Sequence, residues 1–323
     1  MLQPRTLNRR EAMLALGAGV GVAASPALFS PPSFAQSAVP AAAHHTIKLG
    51  QFEITVISDG TMALPLGFAL PLTPVADVEA LYAAHAQKLG ASELTAQVNV
   101  AIVKTPGATI VIDCGGGTDF MPSMGRFADN FERAGIQPGS VTHVVFTHAH
   151  ADHLWGVIDP LEDATRFPAA RHVITAAEFD YWTKPGMEAS VPDAMKGVAI
   201  GSARRLKSIG ERFERVKPGA EIAPGVMLAD TAGHTPGHVS VVVKSGTESL
   251  MIGGDVLTNP IVSFACPDWP WGPDTDRDLA IASRKRTLDM LATDKMALLG
   301  YHMPWPGIGR VERKDTAYRF VQV

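Results

Sequence analysis

The residues best suited to chemistry are concentrated in one stretch, His148-Ala149-His150-Ala151-Asp152-His153. Three imidazoles and a carboxylate fall within six positions. Neutral imidazole nitrogens beside a carboxylate oxygen suit a borderline divalent cation, with Zn2+ the default. Burying four such groups together with nothing to bind would be costly. Residues 141–146 are apolar apart from Thr142 and His143, and they read as a buried strand leading into the motif. Alternate side chains of a strand share a face, so His148 and His150 can point the same way. Asp152 and His153 follow where the chain turns into its next element.

Three later residues share this setting. His234 sits in Gly-His-Thr-Pro-Gly-His, Asp255 follows Gly253-Gly254, and His302 follows Gly300-Tyr301. Each comes after an expected strand, at 226–229, 250–252 and 296–299 respectively. Loops at strand ends are where layered folds place chemistry. Gly233, Gly254 and Gly300 allow backbone to approach a crowded centre. Further strands are expected at 52–57 (stopping at Asp59-Gly60), 98–103, 109–112, 171–175, 213–216 and 239–243. Helices are expected at 75–90, 120–134, 154–158, 176–183, 193–209 and 276–291. Residues 64–74 are apolar and proline-punctuated, and read as a loop that covers something. The glycines at 115–117 lack the spacing and the Lys-Ser/Thr ending of a nucleotide loop. Strands and helices mix throughout, which argues for a layered α/β architecture.

Composition sets the class. The chain has 323 residues, 46% hydrophobic and 19% charged, as expected of a globular protein. Its net charge is -4 and no basic run appears after the first residues, which argues against general nucleic-acid binding. Two cysteines, Cys114 and Cys266, do not make a disulfide scaffold and read as separate free thiols. Residues 1–35 carry Arg9-Arg10 ahead of an apolar stretch and end in Ser33-Phe34-Ala35, a small-x-small cleavage site. They resemble a twin-arginine export signal, which predicts a periplasmic or secreted protein with the export machinery as a partner. Residues 36–45 read as a lead-in, with His44 and His45 solvated, and 46–323 as one catalytic domain.

In order and context, His148-x-His150-x-Asp152-His153, His234, Asp255 and His302 resemble the metallo-β-lactamase superfamily. The resemblance covers nearly all of the chain from residue 46. It implies an αββα sandwich: two mixed sheets face to face, helices outside, and a metal site at one edge. It further implies two divalent ions, Zn2+ by default with Mn, Fe or Co as substitutes. His148, His150 and His234 would hold one ion, and Asp152, His153 and His302 the other. Asp255 would bridge them, placing Asp152 and Asp255 at the reacting atoms. The paired ions would share a hydroxide as nucleophile. Asp113, Thr147 and His238 resemble the family's residues behind the ligands. His85, His143 and His172 have no such place.

Asp255 points away from β-lactamases, which typically lack a bridging aspartate here. Glyoxalase II-type thioesterases carry a glutathione-binding region, and this chain shows no basic patch for it. Residues 52–61, Gly125-Arg126 with Ala134-Gly135, and 302–320 resemble the methyl parathion hydrolase group. That likeness implies an exported hydrolase of organophosphate triesters, aryl esters or lactones, acting on a small-molecule substrate in an aromatic pocket. Leu66, Phe68, Phe120 and Trp182 are the expected walls, with Trp269 and Trp271 near the mouth. Residues 64–74 and 263–274 depart from that group, so neutral esters or lactones are also expected as the native substrates. The alternatives are an acyl-homoserine lactone lactonase, an iron-dependent oxidoreductase of sulfur or oxygen species, and a periplasmic metal-binding protein. A homodimer remains open.

Overall fold

The computed structural model describes residues 43–90 and 92–323. The export signal at 1–35 and most of the lead-in lie outside the described residues. Runs of β-branched residues set the architecture. Ile110 and Ile112 pack into one apolar cluster, whereas Val111 between them packs into another. Val144 and Val145 divide in the same way. Such strands are buried on both faces, which is why their sequences read as unbroken apolar runs.

The strands form two seven-stranded sheets. The first runs β1 (His44–Leu49), β2 (Phe52–Pro65), β3 (Glu93–Lys104), β4 (Thr109–Ile112), β5 (His143–Val145), β8 (Arg171–Thr175) and β9 (Phe213–Val216). Its first four strands are antiparallel, and β4, β5, β8 and β9 are parallel. The second runs β10 (Glu221–Ala223), β11 (Val226–Asp230), β12 (Val239–Ser245), β13 (Glu248–Ile252), β14 (Ala297–Leu299), β15 (Ile308–Lys314) and β16 (Ala317–Gln322). Only β13 and β14 are parallel there. A small hairpin, β6 (Ile158–Asp159) with β7 (Ala164–Thr165), stands apart.

The sheets pack through Ile54, Val56, Val103 and Val145 on one side and Val241, Val243, Ile252 and Leu299 on the other. The outer face of the first sheet is covered by α3 (Phe127–Arg133) and α6 (Lys196–Ile209), through Phe127, Phe131, Leu206 and Ile209. The outer face of the second is covered by α8 (Arg277–Asp294), through Leu288 and Leu291. This is the expected αββα layering. The remaining helices are α1 (Leu66–Ala69), α2 (Val75–Ala84), α4 (Ala151–Leu154), α5 (Ala176–Thr183) and α7 (Val262–Ala265). Among the described residues no helix is long and apolar enough to cross a membrane.

Several expected boundaries move. The fold begins at His44, where β1 pairs with Ile57, so the lead-in ends two residues early. His45 is exposed and His44 half-buried. β2 does not stop at Asp59-Gly60 but continues to Pro65 across a register shift between Ser58 and Gly60. Gly60 has φ 119, and a Cβ there would lie 2.1 Å from the Ser123 carbonyl oxygen. The 64–74 loop therefore starts as strand and includes α1. The helix expected over 120–134 is confined to α3, and the one expected over 75–90 ends at Ala84.

Candidate metal centre

Every residue of the constellation stands just beyond a strand. His148 to His153 follow β5, His234 follows β11, Asp255 follows β13, and His302 follows β14. All seven side chains are buried. Their donor atoms form two groups, each within 4.8 Å: His148, His150, His234 and Asp255, and then Asp152, His153 and His302.

In the first group, His150 Nδ1 lies 2.9 Å from both His148 Nε2 and His234 Nε2. In the second, Asp152 Oδ2 lies 3.3 Å from both His153 Nε2 and His302 Nε2. Asp255 divides its oxygens between them. Its Oδ2 is 3.3 Å from His234 Nε2, and its Oδ1 is 3.1 Å from His153 Nε2 and 3.2 Å from His302 Nε2.

The far nitrogens of four histidines are already engaged. His153 Nδ1 donates to Asp113 Oδ2 (2.8 Å), His234 Nδ1 to Asp274 Oδ1 (2.8 Å) and His302 Nδ1 to the Gln97 carbonyl (2.8 Å). Thr147 Oγ1 donates to Asp113 Oδ2, leaving its oxygen to accept from His148 Nδ1 at 3.1 Å. These bonds fix the tautomers and leave each Nε2 bare and pointing inward. Asp152 Oδ2, His153 Nε2, Asp255 Oδ1 and His302 Nε2 are buried without a hydrogen-bond partner. Four orphaned polar atoms at one point are costly unless a cation lies among them. The donor set fits a pair of divalent cations.

The acid–base balance of the cluster follows from the same contacts. Burial drives His148 well below its usual value and His150 down to about 3. Burial also opposes charge on His234 and His302, but their carboxylate neighbours outweigh it and lift them to about 9 and about 10. Burial would raise Asp152 and Asp255, yet His153 and His302 hold both below the carboxylate range.

His238 serves the backbone. Its Nε2 accepts from Asp255 N–H at 2.9 Å, and its Nδ1 faces Thr231 Oγ1 at 2.9 Å. Gly254, at φ 56, makes the approach possible, because a Cβ there would lie 2.8 Å from His238 Nε2. Tyr301 stacks on His153, with centroids 3.9 Å apart, and donates to the Asp152 carbonyl at 2.7 Å.

A cavity of about 300 Å³ opens on His150, Asp152, His234, Asp255 and His302. Its walls include Met62, Leu64, Phe68, Phe120, Met121, Met195, Val198 and Trp271, and among the described residues no Lys or Arg lines it. Leu66 and Trp182 are not among its walls: Leu66 is buried in the core, and Trp182 packs edge-on against His150 at 5.4 Å. Trp182 instead lines a neighbouring, more polar cavity. Trp269 packs against the core beside the site.

The family profile described as the Metallo-beta-lactamase superfamily matches residues 95–300. The chain belongs to the metallo-beta-lactamase superfamily. It is 26% identical over 194 residues to a probable metallo-hydrolase of Mycobacterium tuberculosis, covering 49% of this chain and 56% of that one. It is 25% identical over 179 residues to an N-acyl homoserine lactonase of Bacillus sp, covering 53% and 59%. The chain thus spans under two thirds of the length of these curated relatives. The fold is similar to that of AidC, a dizinc quorum-quenching lactonase solved with a product, at TM-score 0.80 and 26% identity over 87% of this chain and 97% of that one. It is also similar to the hydrolase AbOPH, at TM-score 0.81 and 26% identity over 88% and 99%.

Within this superfamily fold, two supporting carboxylates escaped the sequence reading. Asp274 lies in the 263–274 segment, and nothing nearby in sequence ties it to His234, forty residues away. Glu178 stands in an ordinary helical pattern, and only its distant contacts reveal it. His85, His143 and His172 lie outside both groups.

Proposed function

We propose that this chain is a dinuclear metal-dependent hydrolase of uncharged esters, with lactones the foremost class. The observation that carries this reading is the cavity: an apolar chamber that, among the described residues, no Lys or Arg lines, floored by the His/Asp cluster. Such walls favour an apolar, neutral substrate, and among the described residues they add no Lys or Arg to hold a carboxylate or a phosphate monoester. The similarity to a dizinc lactonase and to an N-acyl homoserine lactonase supports the same class. Histidine-rich N/O donors point to zinc.

When bound, two divalent cations supply hydroxide near neutral pH and polarise the ester carbonyl. The protein's own residues do the rest. Asp255 faces both groups with separate oxygens and so holds them in one frame. His238 fixes the Asp255 backbone. The walls exclude water and hold the scissile group over Asp152 and Asp255. Thr258 is the hydroxyl side chain among the described lining residues and can donate to a substrate oxygen.

Organophosphate triesters form a second reading. They are uncharged as well, and the likeness of residues 52–61 and 302–320 to the methyl parathion hydrolase group favours them. The test is a panel of a γ-lactone, an N-acyl homoserine lactone, an aryl ester and a phosphotriester, beside anionic counterparts. Turnover confined to neutral members supports the reading, and preference for an anionic ester would sink it.

A further inference from the structure

Besides Asp113 and Asp274, a third buried carboxylate close to the centre belongs to neither group of donor atoms, and it bonds to none of the histidines there. Glu178 lies on α5 and is fully buried. Ala149 N–H (2.9 Å) and Trp182 Nε1–H (2.7 Å) donate to its Oε1. The Thr235 hydroxyl (2.7 Å) and Gly237 N–H (3.0 Å) donate to its Oε2. Ala149 separates His148 from His150, and Thr235 follows His234. The first loop leaves the first sheet and the second leaves the second sheet, so one carboxylate joins them.

Three of the four partners are N–H groups that can only donate, so the contacts favour the ionised form. Burial raises the Glu178 pKa and the four hydrogen bonds oppose it, but no cationic side chain takes part. A buried carboxylate without a positive partner is expensive. A cation bound by His148, His150 and His234, the residues flanking Ala149 and preceding Thr235, would provide that partner. The four donors all come from outside the Asp152, His153 and His302 group.

We propose that Glu178 is the positioning residue of the three-histidine half of the metal centre, holding the His148–His150 and His234 loops in register and placing negative charge behind them. The proposal rests on the dinuclear reading above. Support of this kind is worth about 10–100-fold in metal affinity, and here the effect is confined to one of two sites.

The test is Zn2+ binding by chelator competition, with protein folding followed by circular dichroism. Wild type should bind two equivalents. Glu178→Gln preserves shape but turns an amide N–H2 toward donors, and should weaken one equivalent by about 10–100-fold. In a His302→Ala background, which disables the other half, Glu178→Gln should lower the remaining affinity by a similar factor. In a His234→Ala background it should change little. Thr235→Val removes one of the four donors and leaves the carboxylate in place. It should reproduce the pattern with a smaller factor, and it decides the matter if Glu178→Gln does not fold. Equal weakening in both backgrounds, or none in either, overturns the role of Glu178. Fewer than two equivalents in the wild type overturns the dinuclear reading, and this proposal with it.

Discussion

Replacing Asp274 with Asn separates the stability of the site from its capacity for metal. Asp274 Oδ1 accepts from His234 Nδ1 at 2.8 Å, and Oδ2 accepts from Arg284 Nη2 at 2.9 Å. Arg284 is buried, and its Nη1 also donates to the Pro267 and Trp269 carbonyls. Its Nε already lacks a partner. An asparagine offers one acceptor oxygen for two donors and no charge. If Arg284 is left as an uncompensated buried cation, stability should fall by about 3–5 kcal/mol. If His234 loses its orienting acceptor, affinity at the three-histidine group should fall by about 10–100-fold. The two effects are separable. Adding Arg284→Met removes the stranded charge, and should recover most of the stability but none of the metal affinity. Urea denaturation of the metal-free protein reads the first quantity and chelator competition the second. Recovery of both by the double variant, or a loss of affinity at the Asp152 group instead, would refute the reasoning.

Two further outcomes follow from particular side chains. Phe120 lines the cavity and packs edge-on against Trp155 at 5.5 Å. Phe120→Ala should raise KM for an alkyl lactone about tenfold, roughly 1.5 kcal/mol of apolar contact, with kcat little changed. A fall in kcat at constant KM would mean that the ring serves the reaction rather than binding. His172 is held down at about 4, first by burial and then by the charge of Arg212. A depressed histidine contributes stability that is complete above the unfolded value of 6.5 and is lost as pH falls toward 4. The loss is at most about 3 kcal/mol. His172→Gln keeps a polar contact to Thr165 and should flatten that slope in denaturation curves between pH 6.5 and 4. An unchanged slope would remove His172 from the account.

What was legible in the sequence depended on the range of the forces involved. β8 and α5 fall at their expected bounds because the junction is local: Thr175 ends the strand and its hydroxyl accepts from Glu178 N–H. The ligands were legible because metal chemistry restricts residue type and because each follows a strand. β2 ran on past Asp59-Gly60 for reasons distant in sequence. The Asp59 carboxylate accepts from Gly116 N–H and Phe127 N–H, so an apparent turn residue is spent on tertiary contacts. The cavity walls were the least legible part. Met62 reaches the cavity only because β2 continues, and Met121 and Met195 fall in stretches expected as helix but lying ahead of the helices observed at Phe127–Arg133 and Lys196–Ile209. Trp182, aromatic and near the motif, turns instead to Glu178.

Under the proposed function, the chain hydrolyses a neutral ester only when this cluster holds two cations. Metal content and γ-lactone turnover, measured on the same protein before and after chelation, test it most directly. Two equivalents of divalent metal per chain are expected, with turnover lost on chelation and restored by Zn2+. Full turnover by protein retaining less than one equivalent would contradict it.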